Sequence, residues 1–383
     1  RRHVRGELVT PEPRTGSFGL SPAGERALIE ARGEILNLPT DEGDPINLTR
    51  TAGSREKNAV WSPDGSRIVF VSDRTGEEQL YLVDQRGEEE WRQLTDDFYG
   101  FMLPPVWSPD GKSILFADKF MRLHLVDVAS GKVKQIARSD YDDAWERWGI
   151  QDYVWSPDSR WVAYTSNGAN MNESIYLYDV AAGKTHQVTD EMTTDWSPSF
   201  DPQCRYLYFL SNRTFNPIMG RQDQTHVFLR MARPYLVLLR AGERSPFHAD
   251  DVSVAVNGED EQETKESKEG DEKTQIDLEG LADRILVCPG VEPGNYFRLE
   301  ALKEGLLLLN RQEPQFLKYQ NVNDHTTETQ ELIKWSLKED STITLMDAVT
   351  NYHLSADGKK LIYRAGSSYG VVGAGLKAKQ GEG

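Results

Sequence analysis

The sequence predicts an all-β protein, a seven-bladed β-propeller made of four-stranded antiparallel blades. Two observations lead to this prediction. A turn of the Ser-Pro-Asp-Gly type recurs with its serine at Ser21, Ser62, Ser108, Ser156 and Ser355. The first four copies are 41, 46 and 48 residues apart. A period in the forties with four strands per repeat is typical of propeller blades.

A single copy shows how the pattern makes a blade. Residues 60–84 read VWSPDGSRIVFVSDRTGEEQLYLVD, in which apolar runs alternate with turn residues. Pro sets φ and Gly permits positive φ in the first turn, and the β-branched and aromatic residues of 67–71 favour a strand. A turn at 73–76 then leads to a third strand at 80–84, and a fourth ends near 93–95. Fourth strands recur as NLT, QLT and QVT.

Seven blades are counted from anchors near residues 21, 62, 108, 156, 200, 304 and 355. The segment SFDPQCRYLYFLS is a degraded copy that aligns Phe200 with Trp61, and residues 296–310 read as two strands joined at 303–305. A blade cannot bury its own faces, so the repeated Trp, Val and Phe positions should pack between neighbouring blades. We therefore predict a single propeller domain over residues 1–383, as a fragment of a longer chain.

An acidic insertion accounts for the long interval between the fifth and sixth anchors. Residues 257–273, NGEDEQETKESKEGDEK, contain eight acids, three lysines and no aromatic residue. Such a segment cannot bury enough apolar surface to order itself, so we predict a disordered surface loop. An acidic docking element is the alternative interpretation.

Composition excludes several classes of partner. The formal net charge of −17 disfavours nucleic acid and anionic membranes, whose phosphates require basic patches. No apolar run reaches the roughly 18 residues of a membrane span, and the first residues contain no apolar signal region. Cys204 and Cys288 are far apart and match no metal-ligand spacing, so two separate buried thiols are expected.

No catalytic set is recognisable in the sequence. GSSYG at 366–370 matches the nucleophile elbow, but no His follows it, so a strand turn is the better interpretation. The paired acids Asp96-Asp97 and Asp142-Asp143 are expected to be solvated loop residues. The seven histidines, which show no ligand spacing, are His3, His124, His186, His226, His248, His325 and His353. We expect no catalysis by this chain alone, no metal and no cofactor.

The central channel is the one functional place that a propeller offers, and its innermost strands precede the Ser-Pro-Asp-Gly turns. Three residues before each anchor aromatic or leucine stand mostly small, polar side chains that suit a wet channel. These candidate channel-lining residues are Ser17, Asn58, Pro104, Asp152, Ser197 and Asn351. Ordinary turn polarity explains them equally well.

The repeats are similar to those of the TolB-like, PD40-type propellers, and several segments narrow the resemblance. Residues 17–65, with ARGEIL and NLTRT, resemble the opening of the second propeller of tricorn-type proteases. SDYDD at 139–143 and GNYFRLEALKEGLLLLN after the acidic insertion resemble the same family. The resemblance covers essentially the whole chain.

This resemblance implies a seven-bladed propeller within a longer serine peptidase of the carboxy-terminal-processing type. There the propeller would gate or channel peptides to an enclosed active site, and the catalytic Ser and His would lie outside this chain. No position here matches them. The implied partners are peptide substrates, other domains of the same chain and other copies in a homo-oligomer.

Two other functions remain open from the residues alone. The chain could be a stand-alone TolB-like scaffold that binds proteins, or the propeller of a prolyl-oligopeptidase-like enzyme that continues into an α/β-hydrolase domain. We expect a cytoplasmic location, with a periplasmic or exported one as the alternative.

Overall fold

The computed structural model describes residues 15–142, 149–215, 217–219, 226–247, 274–311 and 330–382. Within these ranges the chain forms one two-stranded hairpin and seven larger β-sheets, in each of which the strands pair antiparallel in a meander. We name the sheets blades 1 to 7 in chain order. The predicted all-β, seven-bladed propeller is confirmed.

The first three blades each contain four strands. Blade 1 consists of β1 (Thr15–Leu20), β2 (Arg26–Ala31), β3 (Glu34–Pro39) and β4 (Ile46–Asn47). Blade 2 consists of β5 (Glu56–Trp61), β6 (Arg67–Ser72), β7 (Gln79–Asp84) and β8 (Arg92–Gln93). Blade 3 consists of β9 (Val106–Trp107), β10 (Ser113–Ala117), β11 (Arg122–Asp127) and β12 (Val133–Arg138).

The next two blades differ by an inserted hairpin. Blade 4 consists of β13 (Ile150–Trp155), β14 (Trp161–Asn167), β15 (Glu173–Asp179) and β16 (Lys184–Gln187). Blade 5 consists of β17 (Asp195–Phe200), β18 (Tyr206–Ser211), β21 (Arg233–Leu238) and β22 (Ile285–Val287). The hairpin of β19 (Pro217–Met219) and β20 (His226–Phe228) is inserted after β18. The predicted disordered loop at 257–273 lies outside the described residues.

The last two blades differ in strand number. Blade 6 consists of β23 (Tyr296–Leu302), β24 (Gly305–Arg311), β25 (Gln330–Ser336) and β26 (Ser341–Met346). Blade 7 consists of β27 (Asn351–Leu354), β28 (Lys360–Ala365) and β29 (Ser368–Gly373). Blade 7 thus has three strands within the described residues, where every other blade has four.

The recurring turn is held by one set of hydrogen bonds. In blade 2 the Ser62 hydroxyl donates to Asp64 over 2.6 Å and accepts from the Arg67 N–H over 3.0 Å, while Gly65 has a φ of 72°. The same Ser–Asp bond recurs at the turn serines of blades 3, 4 and 7. In blade 5 Asp201 accepts from the Arg205 N–H in place of a serine, and Cys204 takes the positive φ of the glycine. This substitution explains why the fifth copy is hard to recognise.

Apolar side chains pack between blades, as the repeat predicts. Trp61 and Phe70 lie in the core between blades 1 and 2, and Trp107 lies in the next one. Seven such clusters occupy the seven seams, and the last one joins blade 7 to blade 1. The first strands contact their neighbours in turn from β1 to β23, and β27 contacts β1. The first strands therefore form the inner ring of the propeller.

Candidate functional site

Five of the six candidate channel residues lie on first strands, where the sequence placed them. Ser17 is on β1, Asn58 on β5, Asp152 on β13 and Ser197 on β17. Asn351 begins β27, while the remaining candidate, Pro104, precedes β9. Asp152 and Pro104 are exposed, whereas Ser197 is buried.

A β-bulge marks this position in several blades. The register between the first and second strands shifts from Lys57 to Val60 in blade 2, and equivalent shifts occur in blades 1, 4, 5 and 6. Asn58, Asp152 and Ser197 have φ values of 53°, 51° and 53°, in a region that non-glycine residues seldom adopt. A bulge leaves a residue unpaired within its own sheet and redirects its groups.

The redirected backbone groups bind the neighbouring blade. The N–H of Asn58 donates to the Ser17 hydroxyl over 3.0 Å. The N–H of Ser197 donates to the Asp152 carboxylate over 2.9 Å, and the N–H of Leu299 donates to the Ser197 hydroxyl over 3.0 Å. Each of these polar side chains therefore accepts from a first-strand N–H of the next blade; Asn58 and Ser197 lie at bulges, whereas Leu299 pairs regularly with Leu308. Ser17, Asp152 and Ser197, which the sequence predicts to line the channel, therefore also hold neighbouring blades together. We call these hydrogen bonds between a side chain and an N–H of the next blade inter-blade clasps.

Two blades use other groups at this position. Pro104 has no N–H to donate, and its carbonyl instead accepts from the Tyr153 hydroxyl across the seam to blade 4. Leu299 occupies the equivalent place in blade 6 and has no polar side chain. There Arg298 crosses the seam and donates to the Asn351 side chain.

Arg298 is the centre of a charged cluster that sequence reasoning missed. Its guanidinium lies 3.5 Å from the Glu300 carboxylate and 4.6 Å from the centre of the Tyr352 ring. His353, two residues after Asn351, packs edge-on against Phe18 of blade 1 at 4.9 Å. Blade 6 lacks the Ser-Pro-Asp-Gly turn, so no channel position was assigned there. The alternation of Arg298 and Glu300 with apolar residues on β23 was the available signal.

The protein surrounding these groups changes their ionisation. Enclosure raises the pKa of Asp152, although its side chain still reaches solvent, and the Ser197 N–H and the Arg298 charge oppose that rise. Burial likewise raises the pKa of Glu300, again opposed by Arg298. Burial, helped by the Arg298 charge, lowers the pKa of His353 to about 3. A neutral imidazole is therefore the stable form of His353 at physiological pH.

Buried titratable groups elsewhere serve the fold. His124 is buried on β11, where its Nε2 lies 2.9 Å from Asp118, which also accepts from Arg122. Cys204 and Cys288 are buried free thiols, as expected. Gly366 and Ser367 form the turn between β28 and β29, which agrees with a strand turn rather than a nucleophile elbow. Asp96, Asp97 and Asp142 are exposed, while Asp143 lies outside the described residues.

The described residues contain neither a metal-binding cluster nor a helix that could span a membrane. No group of three or more His, Cys, Asp or Glu side chains in the described part of the chain could hold a metal ion. No helix among the described residues is long and apolar enough to cross a membrane. His3, His248 and His325 lie outside the described residues.

A protein-family comparison decides the identity of the fold. The model of the tricorn protease second beta propeller domain matches residues 15–375. The chain belongs to this family. Its seven blades are those of a tricorn second propeller, and the matched family model covers no catalytic domain.

Tricorn-type relatives from bacteria and archaea match nearly the whole chain. Tricorn protease homolog 1 of Streptomyces coelicolor is 29% identical over 96% of this chain and 34% of its own length. A putative tricorn-like protease C-terminal subunit of Sulfurisphaera tokodaii is 29% identical over 86% of this chain and 38% of its own length. The chain therefore spans about a third of the length of these relatives.

The crystal structure of the tricorn protease has the same fold. It superposes with a TM-score of 0.77 at 20% sequence identity, covering 96% of this chain and 34% of the tricorn chain. At this identity the match supports the seven-bladed architecture alone. The Protein TolB homolog of Chlorobium chlorochromatii is 32% identical but over only 39% of this chain, which reflects the shared blade repeat.

Proposed function

We propose that this tricorn second propeller is a non-catalytic module that channels peptides to the serine-peptidase active site of its parent protein. The observation that supports it most is the inner ring itself. Polar and charged groups from several blades, including Asp152 and Arg298, stand on bulged first strands. The two tricorn-type relatives described above carry protease names, and the chain covers only about a third of their length.

The chemistry of the inner ring suits an extended peptide. Such a peptide presents backbone donors and acceptors at regular intervals, and small polar side chains can bind them without selecting a sequence. The Ser17 and Ser197 hydroxyls already bind backbone N–H groups of neighbouring blades. Asp152, whose side chain reaches solvent, leaves a carboxylate for a passing N–H or ammonium group.

Bulky substitution at one exposed inner-ring position tests the proposal in the full-length protein. Pro104 is suited to this because its side chain is exposed and only its carbonyl is used by Tyr153. Ser197 is unsuited because its hydroxyl holds blade 6. We expect Pro104→Trp to slow the cleavage of long peptides about tenfold, which corresponds to about 1.4 kcal/mol of added barrier, and to leave very short peptides nearly unaffected.

Pro109→Trp is the matched control. Pro109 is an exposed proline in the turn that follows the first strand of the same blade, at the opposite end of β9 from Pro104. Channelling requires that Pro109→Trp have no length-dependent effect. Equal slowing of long and short peptides by Pro104→Trp, or unchanged turnover with folding intact, would reject the channel as the route and favour a scaffold. The cytoplasmic location and the homo-oligomeric parent remain predictions within this proposal.

A further inference from the structure

Four exposed aromatic side chains lie together at one end of blade 3. Their exposed fractions are between 40% and 62%, and they are Tyr99, Phe101, Phe120 and Tyr141. The described ranges contain two other exposed aromatic residues, Phe215 and Phe228, whose rings pack against each other at 5.2 Å. Single exposed apolar side chains need no explanation, but a group of them among polar residues marks an interaction surface.

The four aromatic residues stand on segments that contact one another. Tyr99 and Phe101 lie between β8 and β9, and Phe120 lies in the turn between β10 and β11. The Lys119 N–H donates to the Phe101 carbonyl over 3.1 Å, so this segment and this turn are in contact. Tyr141 follows β12, which ends beside the same turn because β11 and β12 pair antiparallel. The four side chains therefore belong to one surface.

Blade 2 fixes the segment between β8 and β9 in place. The Met102 N–H donates to the Glu78 carboxylate over 2.6 Å. Glu78 also binds the buried Lys57, whose ammonium group lies 2.7 Å from the carboxylate and 3.4 Å from the centre of the Phe101 ring. These contacts fix the position of Phe101, so the surface is preorganised for binding.

The surface runs across one face of the propeller. β8 is the outer strand of blade 2 and β9 is the inner strand of blade 3, so residues 94–105 cross the face between them. Asp96 and Asp97 are at the outer end of this crossing, and the exposed Pro104 is at the inner ring. We name residues 96–101, Phe120 and residues 140–142 together the aromatic track.

Exposed carboxylates accompany the rings of the aromatic track. They are Asp96, Asp97, Asp140 and Asp142. Among the cations at this end, Arg122 is paired with Asp118 at 2.6 Å. The exposed Lys119 and Arg138 are outnumbered by the four carboxylates. The track therefore combines aromatic rings with excess negative charge, which attracts basic side chains and repels acidic ones.

Equivalent segments in other blades lack this combination. The segment before β5 reads LTRTAGSR and the segment before β17 reads VTDEMTT, and neither contains an aromatic residue. In the first of them Arg50 and Arg55 are exposed, so its charge has the opposite sign. The blade repeat therefore does not require the aromatic track, and its residues need another explanation.

We propose that the aromatic track binds an extended peptide segment that carries basic and apolar side chains. Lysine and arginine side chains of the peptide pair with the aspartates, and its apolar side chains cover the exposed rings. A peptide is the occupant because the track ends at the inner ring, at Pro104. The inference rests on the proposed channelling function and adds the class of peptide, since acidic segments are repelled.

Peptide binding by the full-length protein tests the charge of the track. A serine-reactive inhibitor is added first, so that the peptide is not consumed. The probes are a labelled peptide of lysine, leucine and glycine and its counterpart with glutamate in place of lysine. We expect Asp96→Asn with Asp97→Asn to weaken binding of the basic peptide about fivefold at low ionic strength and little at high ionic strength, because salt screens exposed charges.

Glu88→Gln with Glu89→Gln is the matched control for net charge. Both glutamates are exposed in the turn between β7 and β8, at the opposite end of β8 from the track. Equal weakening by the two double variants would reduce the effect to the net charge of the protein and overturn the proposal. Equal binding of the basic and acidic peptides by the unsubstituted protein would overturn it too. Binding of neither peptide would do the same, because the track is then covered in the parent protein.

Removal of one ring tests the apolar part of the track. Tyr99→Ser should weaken binding of the basic peptide about threefold at either ionic strength, as expected for the loss of one exposed aromatic contact. Met192→Ser is the control, because Met192 is 82% exposed in the segment before β17, and it should leave binding unchanged. Unchanged binding in both Tyr99→Ser and Phe120→Ser, with folding intact, would overturn the proposal.

The outcome for the track is separate from the outcome for the channel. Binding reports capture by the track, whereas the length-dependent effect of Pro104→Trp reports passage through the inner ring. If Pro104→Trp leaves turnover unchanged while Asp96→Asn with Asp97→Asn still weakens binding, the channel is rejected and the track is retained. If Pro104→Trp slows long peptides while the track variants bind normally, the track is rejected and the channel is retained.

Discussion

The seam between blades 5 and 6 and the seam between blades 7 and 1 show how unevenly the ring is held. Among the described residues, the first buries fourteen hydrophobic side chains, including Trp335 and Leu308, whereas the second buries four, Phe18, Leu20, Ala27 and Ile362. Blades 5 and 6 are adjacent in the chain, and blades 7 and 1 are its two ends. Within the described part of the chain, the smallest apolar cluster therefore lies between the two blades that are not adjacent in sequence.

Hydrogen bonds across the two seams follow the same trend. In the first, the Leu299 and Ala301 N–H groups donate to the Ser197 and Ser199 hydroxyls over 3.0 and 2.9 Å. In the second, the bonds between described residues lie at the turns, such as that from the Asp357 N–H to the Pro22 carbonyl over 3.2 Å. The comparison indicates that a repeat protein with equivalent blades need not have equivalent interfaces.

The largest expected effect comes from truncating one leucine in each seam. Leu308→Ala, at a residue with no exposed surface, should lower the free energy of unfolding by about 4–5 kcal/mol, because the cavity is surrounded on all sides. Leu20→Ala, at 7% exposure, should cost about 2–3 kcal/mol. Urea denaturation of both variants measures the difference. Equal losses would show that the closing seam is as well packed as the other.

A smaller effect is expected from removing one clasp hydroxyl in each of two seams. Ser197→Ala leaves the Leu299 N–H buried without an acceptor and should cost about 1–3 kcal/mol. Ser17→Ala removes the acceptor of the Asn58 N–H at a partly exposed place, where water can substitute, so a loss of about 0.5–1 kcal/mol is expected. Thermal unfolding of the two variants measures which one loses more stability. A larger loss of stability in Ser17→Ala than in Ser197→Ala would contradict the prediction.

Acid should weaken the closing seam selectively, by an amount that grows as the pH falls. The pKa of His353 falls from 6.5 to about 3 on folding, so the unfolded chain binds a proton in this interval that the folded chain does not. Stability from this group is therefore present above about pH 6.5 and is lost as pH falls towards 3. The raised pKa values of Asp152 and Glu300 act in the opposite direction. In the other seam, burial raises the pKa of Tyr296 to about 12, outside the acid range.

His353→Gln isolates this contribution. We expect the variant to lose less stability than the unsubstituted protein between pH 7.5 and pH 5, measured by urea denaturation at both values. His186→Gln, on the outer strand of blade 4, is the control for replacing a histidine outside the closing seam. An unchanged slope in His353→Gln would show that His353 does not carry the acid sensitivity of the seam.

Much of the fold could be predicted from sequence because the signals are local. The Ser-Pro-Asp-Gly turn is closed by hydrogen bonds between residues two to five apart, so a short motif specifies it completely. The strands follow from alternating apolar residues, and the period follows from repeating the unit. Pro104 shows the limit of such reasoning. The repeat pattern predicts its position, but its hydrogen bond with Tyr153 uses the backbone carbonyl. Every residue has this carbonyl, so the residue type gives no sign of the bond.

The sequence by itself determined the propeller class, the blade count, the turns and the positions of the first strands. Only the tertiary structure decided what the inner-ring residues contact. The clasps join residues 41, 45 and 102 positions apart, and in each of them a first-strand N–H donates to a side chain of the preceding blade. The Arg298 cluster likewise forms because blades 6 and 7 meet. No local sequence pattern encodes these contacts between blades, because ring closure and the angle between adjacent blades determine which residues come together.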